Sequence, residues 1–194
     1  MQCHFQVKHG DSARAAGELI MVVATTAIKA VMALLAAEPT AASYACPSSP
    51  AFIHASAKVQ VVVPAETCDA VKSEMLARVQ GQFGAWHDPH NNGTYSITSD
   101  AGGQIALQRL TGDKKYTDKM TIVLQNTTSG CTLFGCSESQ TTSILDFGTN
   151  YCNLRMLYCG STDGCKPVLH DFASVEKSAT ASSGTKDLQK CLKV

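Results

Sequence analysis

An excess of charge of either sign is absent from this chain: sixteen basic residues stand against sixteen acidic ones in 194 residues, and neither sign is gathered into a long block. With no net field to draw a polyanion or an anionic membrane, nucleic acid is not expected as a partner. The spacing C-x-x-C is also missing. Successive late cysteines are separated by four, fifteen, six and five residues, which does not supply the two close pairs of thiolates that a structural zinc site takes. No G-x-S-x-G elbow surrounds the serines of "GCSESQ" or "SSPAF", so a serine nucleophile is not indicated. No internal repeat is present. Tryptophan occurs once, as Trp86, and is expected to lie buried against a helix rather than as an exposed platform for sugars.

What the chain does have begins with an apolar run, Leu19 to Ala37, interrupted by Lys29 and followed by small residues that end in Ser43-Tyr44-Ala45. A positive charge, a short apolar core and small side chains three and one residues before the cut are the chemistry of a secretory leader. Lys29, Val31 to Ala37, and Ser43 with Ala45 fill those roles, so residues 1–45 are expected to be a leader cleaved before Cys46. A membrane anchor and a core helix are the competing readings of the same run, and Lys29 makes it a weak span. Residues 1–20, ahead of the n-region, read as an over-extended start or as the first part of a two-stage targeting sequence.

Cysteine usage agrees with that cut. Of nine cysteines only Cys3 is lost with the leader, leaving Cys46, Cys68, Cys131, Cys136, Cys152, Cys159, Cys165 and Cys191. An even, enriched set fits four disulfides in an oxidising compartment, and leaves no free thiol for a Cys/His pair. Eight cysteines allow roughly a hundred pairings, so connectivity stays open. Cys152 and Cys159, roughly 10 Å apart in a helix and 23 Å in a strand, should not bond to each other unless the chain turns between them. Cys159 and Cys165 flank "GSTDG", where glycines fold the chain back, and make a plausible pair.

Periodicity predicts a strand over 57–64, with Val59, Val61 and Val63 on one face and Pro64 as its stop. A helix over 67–80 follows, capped by Thr67 and ended by Gly81, with Cys68, Val71, Met75 and Val79 as its apolar stripe. Glu74 and Arg78 fall on its more exposed side as an ordinary i,i+4 pair. Period-two runs then predict strands at 94–98, 104–110, 119–125 and 141–147, with Met120, Ile122 and Leu124 facing inward and the strand of Arg109 partly open to solvent. "TGDKKYTD" reads as a solvated hairpin connection. "YCNLRMLYC" reads as a satellite core under the bridges, and residues 174–190 as a mobile polar tail anchored by Cys191. The expectation is an α+β domain over 46–173 in which one helix packs on an antiparallel meander, stabilised by disulfides, with a polar tail over 174–194. That order is similar to cystatin-like folds, although the inhibitors' Q-x-V-x-G loop is missing and Gln60-Val61-Val62-Val63-Pro64 is its nearest approach.

The segments "WHDPHNNGTYS", "TGDKKYTDKMT", "CSESQ" and "DFGTNYCNLRMLYCGSTDGCKP" resemble those of a cysteine-rich secreted-type family of dinoflagellates and related microalgae, across most of residues 66–170. The resemblance carries no catalytic residue onto this chain. It implies a leader-bearing extracytosolic domain, and it raises the plastid or thylakoid lumen as a rival to the extracellular space.

Three residues, His87, Asp88 and His90, supply two imidazoles and a carboxylate that a divalent metal would accept. Their H-D-P-H spacing is not the helical i,i+4 arrangement, and His54 and His170 are only remote third ligands; a turn or packing role is the simpler reading. Asp146, in the apolar run "ILDFG", is the one carboxylate whose setting suggests an acid, against the plainer role of bonding to a turn. Asn92-Gly93-Thr94 and Asn126-Thr127-Thr128 are glycosylation sequons, and Asn92-Gly93 also reads as a reversal in which positive φ is tolerated. The expected function is binding of a protein or glycan partner rather than catalysis, with no cofactor and no membrane span once the leader is gone. A structural subunit of a lumenal or membrane-associated assembly, docking through an exposed "LRMLY" patch, is one alternative. A metal-dependent hydrolase using His87, Asp88 and His90 is the other.

Overall fold

The structure, a computed structural model, describes residues 44–184 and 186–193. The leader expected over 1–45 therefore falls almost wholly outside the described residues. Valines alternating in "SAKVQVVVP" form β1, Ser56–Pro64, and Val59, Val61 and Val63 are all buried. Helix α1, Cys68–Gly81, starts where Thr67 accepts a hydrogen bond from the Ala70 amide, and buries Cys68, Val71, Met75 and Val79 as its spacing predicts. Four strands follow as a meander: β2 (Thr94–Ala101), β3 (Gln104–Leu110), β4 (Thr117–Thr127) and β5 (Gly130–Ser139). Helix α2 (Thr149–Tyr158), a 3-10 turn (Ser161–Asp163), β6 (Val175–Ala181) and the short α3 (Leu188–Cys191) complete the chain. The strands form one antiparallel sheet in the order β2-β3-β4-β5-β1-β6. The α+β class and disulfide framework expected from the sequence are both present, with a second helix beside the one foreseen.

Three elements differ from expectation, each for a physical reason. The strand foreseen at 141–147 is a loop, and the partner of β4 is instead β5, which lies in the cysteine-dense stretch. Strand β5 is central and buried on both faces, so it lacks the alternation by which a half-buried strand is recognised. Its Gly135 meets α2: a Cβ there would stand 3.0 Å from Val59 Cγ2 and 3.2 Å from Leu154 Cδ2. The segment "YCNLRMLYC" is not a satellite but part of the main core, with Leu154, Leu157 and Tyr158 fully buried on α2. The patch "LRMLY" is accordingly buried, which removes the surface on which a docked structural subunit depended.

Residues 175–181, expected to be mobile, form β6 on the outer edge of β1. Glu176 holds it there: its carboxylate accepts from the hydroxyls of Tyr151 (2.9 Å) and Tyr158 (2.7 Å), and pairs with Arg155 at 3.2 Å. Arg155 also pairs with Asp163 at 2.7 Å, tying α2 to the 3-10 turn.

Four disulfides join Cys46 to Cys136, Cys68 to Cys131, Cys152 to Cys191, and Cys159 to Cys165. All eight expected cysteines are used, Cys159 bonds across the glycine loop to Cys165, and Cys152 and Cys159 do not bond to each other. A framework of this density is typical of secreted or lumenal proteins. Among the described residues no helix is long and apolar enough to cross a membrane; the run 19–37 lies outside them.

Candidate ligand cleft

Where β3 ends, β4 begins and β5 ends, the connecting loops leave a cleft of about 740 Å³. One wall is the 140–148 loop, carrying Ile144, Leu145 and Phe147 with their side chains largely exposed; Tyr116, half exposed, stands across from it on the β3–β4 connection. The rim carries Asn91, Asn92 and Asp113, and the floor Asp118, Ser139 and Thr149. Ser139 Oγ donates to Asp118 Oδ1 at 2.7 Å, and both side chains are buried. The floor is thus polar and already hydrogen-bonded, while the wall is apolar and unpartnered within the described residues. That combination suits a ligand with an apolar body and a few polar groups.

The wall is held from behind by Asp146, which accepts from the Gly148 amide (3.0 Å), the Asn150 amide (3.1 Å), Asn150 Nδ2 (2.9 Å) and Ser183 Oγ (2.7 Å). The carboxylate read as a candidate acid therefore does the plainer job of organising the turn into α2. Further bonds run from the Ser143 amide to the Ile53 carbonyl (3.2 Å) and from the Ala55 amide to Ser143 Oγ (2.9 Å). Within this frame Phe147 adopts φ of 55° with 76% of its surface exposed. A bulky aromatic is strained in the left-handed region, and exposure returns none of that cost through burial.

Beside the cleft lies the H-D-P-H segment. Asp88 is buried and accepts from Arg109 Nε at 2.7 Å and from the His90 amide at 2.9 Å. Arg109 is fully buried, not open to solvent as its strand suggested, and also donates to the His90 carbonyl. Its guanidinium stands 5.6 Å from the centre of the Tyr95 ring, and Tyr95 packs on Trp86 at 5.9 Å, so the lone tryptophan is buried as expected. His90 is buried, with Nε2 3.3 Å from Thr149 Oγ1, whereas His87 is exposed. Burial, and then the charge of Arg109, hold the His90 imidazole below its ordinary pKa.

The metal expectation is corrected by these contacts. Among the described residues the sole cluster of at least three His, Cys, Asp or Glu ligand atoms within 4.8 Å of one another is Cys46, Cys136 and Glu138; His87, Asp88 and His90 make no such group. Asp88 is spent on Arg109, and His170 offers its backbone amide to Glu74 rather than its ring to this segment. The hydrolase reading loses its ligand set.

The reversal itself is built differently from the Asn-Gly expectation. Positive φ falls on Asn91 (55°) and Asn92 (45°), not on Gly93. Gly93 is needed for space, because a Cβ there would lie 2.1 Å from Arg109 Cζ. Of the two sequon asparagines, Asn92 is exposed on the cleft rim; Asn126 is exposed and accepts the Cys68 amide through Oδ1 at 2.9 Å.

Glu74 and Arg78 were legible as a pair but misplaced: both are fully buried. Glu74 accepts from Arg78 Nε (2.7 Å) and from the amides of Val168, Leu169 and His170 (2.9, 2.6 and 2.8 Å). Arg78 donates to the carbonyls of Met156 and Cys159, both at 2.8 Å. No local pattern announces this, because the backbone partners come from 78 to 96 residues away.

No family model, no curated protein and no solved structure matches this chain.

Proposed function

We propose that this chain is a secreted or lumenal binding domain, without catalytic chemistry of its own, that seats a protein or glycan partner in the cleft between Tyr116 and the 140–148 loop. The observation that carries the reading is Phe147, an exposed aromatic kept at positive φ by the Asp146 hydrogen bonds. A chain that maintains such strain at a solvent-facing side chain has a use for that side chain. The disulfide framework supports an extracytosolic compartment, and the motif resemblance to the microalgal secreted-type family supports the same route, with the extracellular space favoured over the plastid lumen. N-glycans on Asn92 and Asn126 belong to this reading; one on Asn92 would border the cleft and narrow what enters it.

The test is capture from the native compartment with the oxidised, secreted protein as bait, beside Phe147→Ala and Leu145→Ser baits of unchanged near-UV circular dichroism. A partner retained by the wild type and lost by both variants is the expected result. Identical captures by all three sink the cleft as the binding site.

A further inference from the structure

Two of the four disulfides can be reached from solvent, because Cys46 and Cys165 are partly exposed while their partners Cys136 and Cys159 are fully buried. The other two, Cys68–Cys131 and Cys152–Cys191, are buried at both ends. The reachable bridges differ in what surrounds the buried sulfur. Glu138 Oε1 stands 3.9 Å from Cys136 Sγ, so a thiolate released there would face a carboxylate. At Cys159 the neighbour is a cation, with Arg78 Nη1 3.7 Å from Sγ and donating to it. The Met156 and Cys159 carbonyls hold Nη1 and Nη2 in place, both at 2.8 Å, and Glu74 takes the same guanidinium at Nε. The buried sulfur of this bridge thus meets a fixed cationic donor already aimed at it.

Both Cys159 and Cys165 line a small cavity of about 190 Å³, together with Trp86, Met156 and the exposed Lys166. The cavity has room for a molecule of amino-acid size, and Lys166 favours an anionic one. We propose that Cys165 is a thiol–disulfide exchange site for a small thiol, with Cys165 Sγ as the sulfur attacked and Cys159 as the thiolate that leaves onto Arg78. A thiolate leaves faster the lower its thiol pKa, and an adjacent guanidinium favours the charged form. The bridge also closes the shortest loop of the four, six positions in sequence against 39, 63 and 90, so opening it frees the least chain entropy. Its loop stays anchored without it: Arg155 pairs with Asp163 at 2.7 Å, and Asp171 Oδ1 accepts the Ser161 amide at 2.9 Å.

In the first step the incoming thiolate bonds to Cys165 Sγ as the protein S–S bond breaks, and the electron pair of that bond stays on Cys159. A second thiolate then attacks the reagent's sulfur in the mixed disulfide. It leaves with that sulfur as the reagent's own disulfide, and Cys165 is released as a thiolate, so two small thiols are oxidised for one protein disulfide reduced. The reverse sequence, with the small disulfide as oxidant, closes the bridge again. Nothing in these steps depends on the cleft.

Free cysteine is the probe, added to the full disulfide-bonded chain at neutral pH. Samples are quenched in acid at intervals, unfolded, alkylated and mapped by peptide mass, with Trp86 emission following the fold throughout. Expected is a first product with cysteinyl on Cys165, Cys159 alkylated and the other three bridges intact, formed about tenfold faster than Cys46–Cys136 opens. Two variants compare the leaving groups: Cys165→Ser frees Cys159, and Cys46→Ser frees Cys136. Both freed sulfurs belong to buried residues, so desolvation is common to them, and thiolate ultraviolet absorption should appear at lower pH for Cys159 than for Cys136. The mapping of the wild type decides the matter even where a variant fails to fold. Any of four results overturns the proposal: Cys46–Cys136 opening first or at the same rate, cysteinyl carried by Cys159 in place of Cys165, no bridge opening until Trp86 becomes exposed, or Cys136 titrating at or below the pH at which Cys159 does.

Discussion

Two regions of this molecule use polar and apolar groups in opposite ways. Where α1 meets the 159–170 loop, the charge is inside: Glu74 and Arg78 are buried, and they collect three amides and two carbonyls between them. At the cleft the order is reversed, with Ile144, Leu145 and Phe147 outside and the hydrogen-bonded Asp146 behind them. Both loops are immobilised by a carboxylate that gathers backbone amides. At the first the carboxylate is sealed in with a cation and serves only the fold. At the second it is hydrogen-bonded by neutral donors near the surface, and what it positions faces solvent. The difference separates a structural clamp from a presented surface.

The largest effect should come from breaking the clamp. Glu74→Ala leaves Arg78 charged and buried among carbonyls, and should cost about 3–5 kcal/mol in urea unfolding under non-reducing conditions. A loss below about 1 kcal/mol would mean that the pair is not desolvated. Acid should reach the same clamp without mutation. Burial pushes the Glu74 carboxyl up, but the His170 amide, the Arg78 guanidinium and the amides of Leu169 and Val168 outweigh it and hold its pKa below the ordinary 4.5. A depressed folded-state value gives stability that is fully present above 4.5 and drains away as pH falls through the folded pKa. His90, also depressed below its ordinary 6.5, adds a milder loss that starts at higher pH. Stability curves of wild type and Glu74→Gln measured from neutral to acid pH should therefore converge at the acid end; parallel curves would contradict the assignment.

Gly93→Ala tests the other buried pair. The new methyl meets an arginine that Asp88 holds in place, so the cost should be about 1–3 kcal/mol in the same unfolding assay, as for overpacked sites generally. A cost well below about 1 kcal/mol would argue instead that the guanidinium is free to move. The smallest effect belongs to the presented surface. Phe147→Gly removes left-handed strain and an exposed ring, so stability should stay the same or rise by less than about 1 kcal/mol, while partner capture is lost. A destabilised Phe147→Gly would place Phe147 with the clamp and erase the contrast.

Much of the framework could be read from local pattern. Alternating valines announced β1, the three-and-four spacing of Cys68, Val71, Met75 and Val79 announced the buried face of α1, and the even set of eight cysteines from Cys46 onward announced four bridges. These signals are local because they rest on backbone periodicity and on the parity of one residue type. Strand β5 escaped because burial on both faces erases alternation, and β6 because a polar strand is held by Glu176 meeting two tyrosines of α2.

By itself, then, the sequence determined an α+β chain with an amphipathic helix, a meander and a closed set of cysteines, since each follows from neighbours along the chain. Only the tertiary structure decided which charges are buried, which cysteines bond, that the turn "HDPHNNG" is stapled to Arg109, and that 141–147 is a cleft wall. Desolvation and pairing depend on groups brought together from tens of residues apart, and no local period records them.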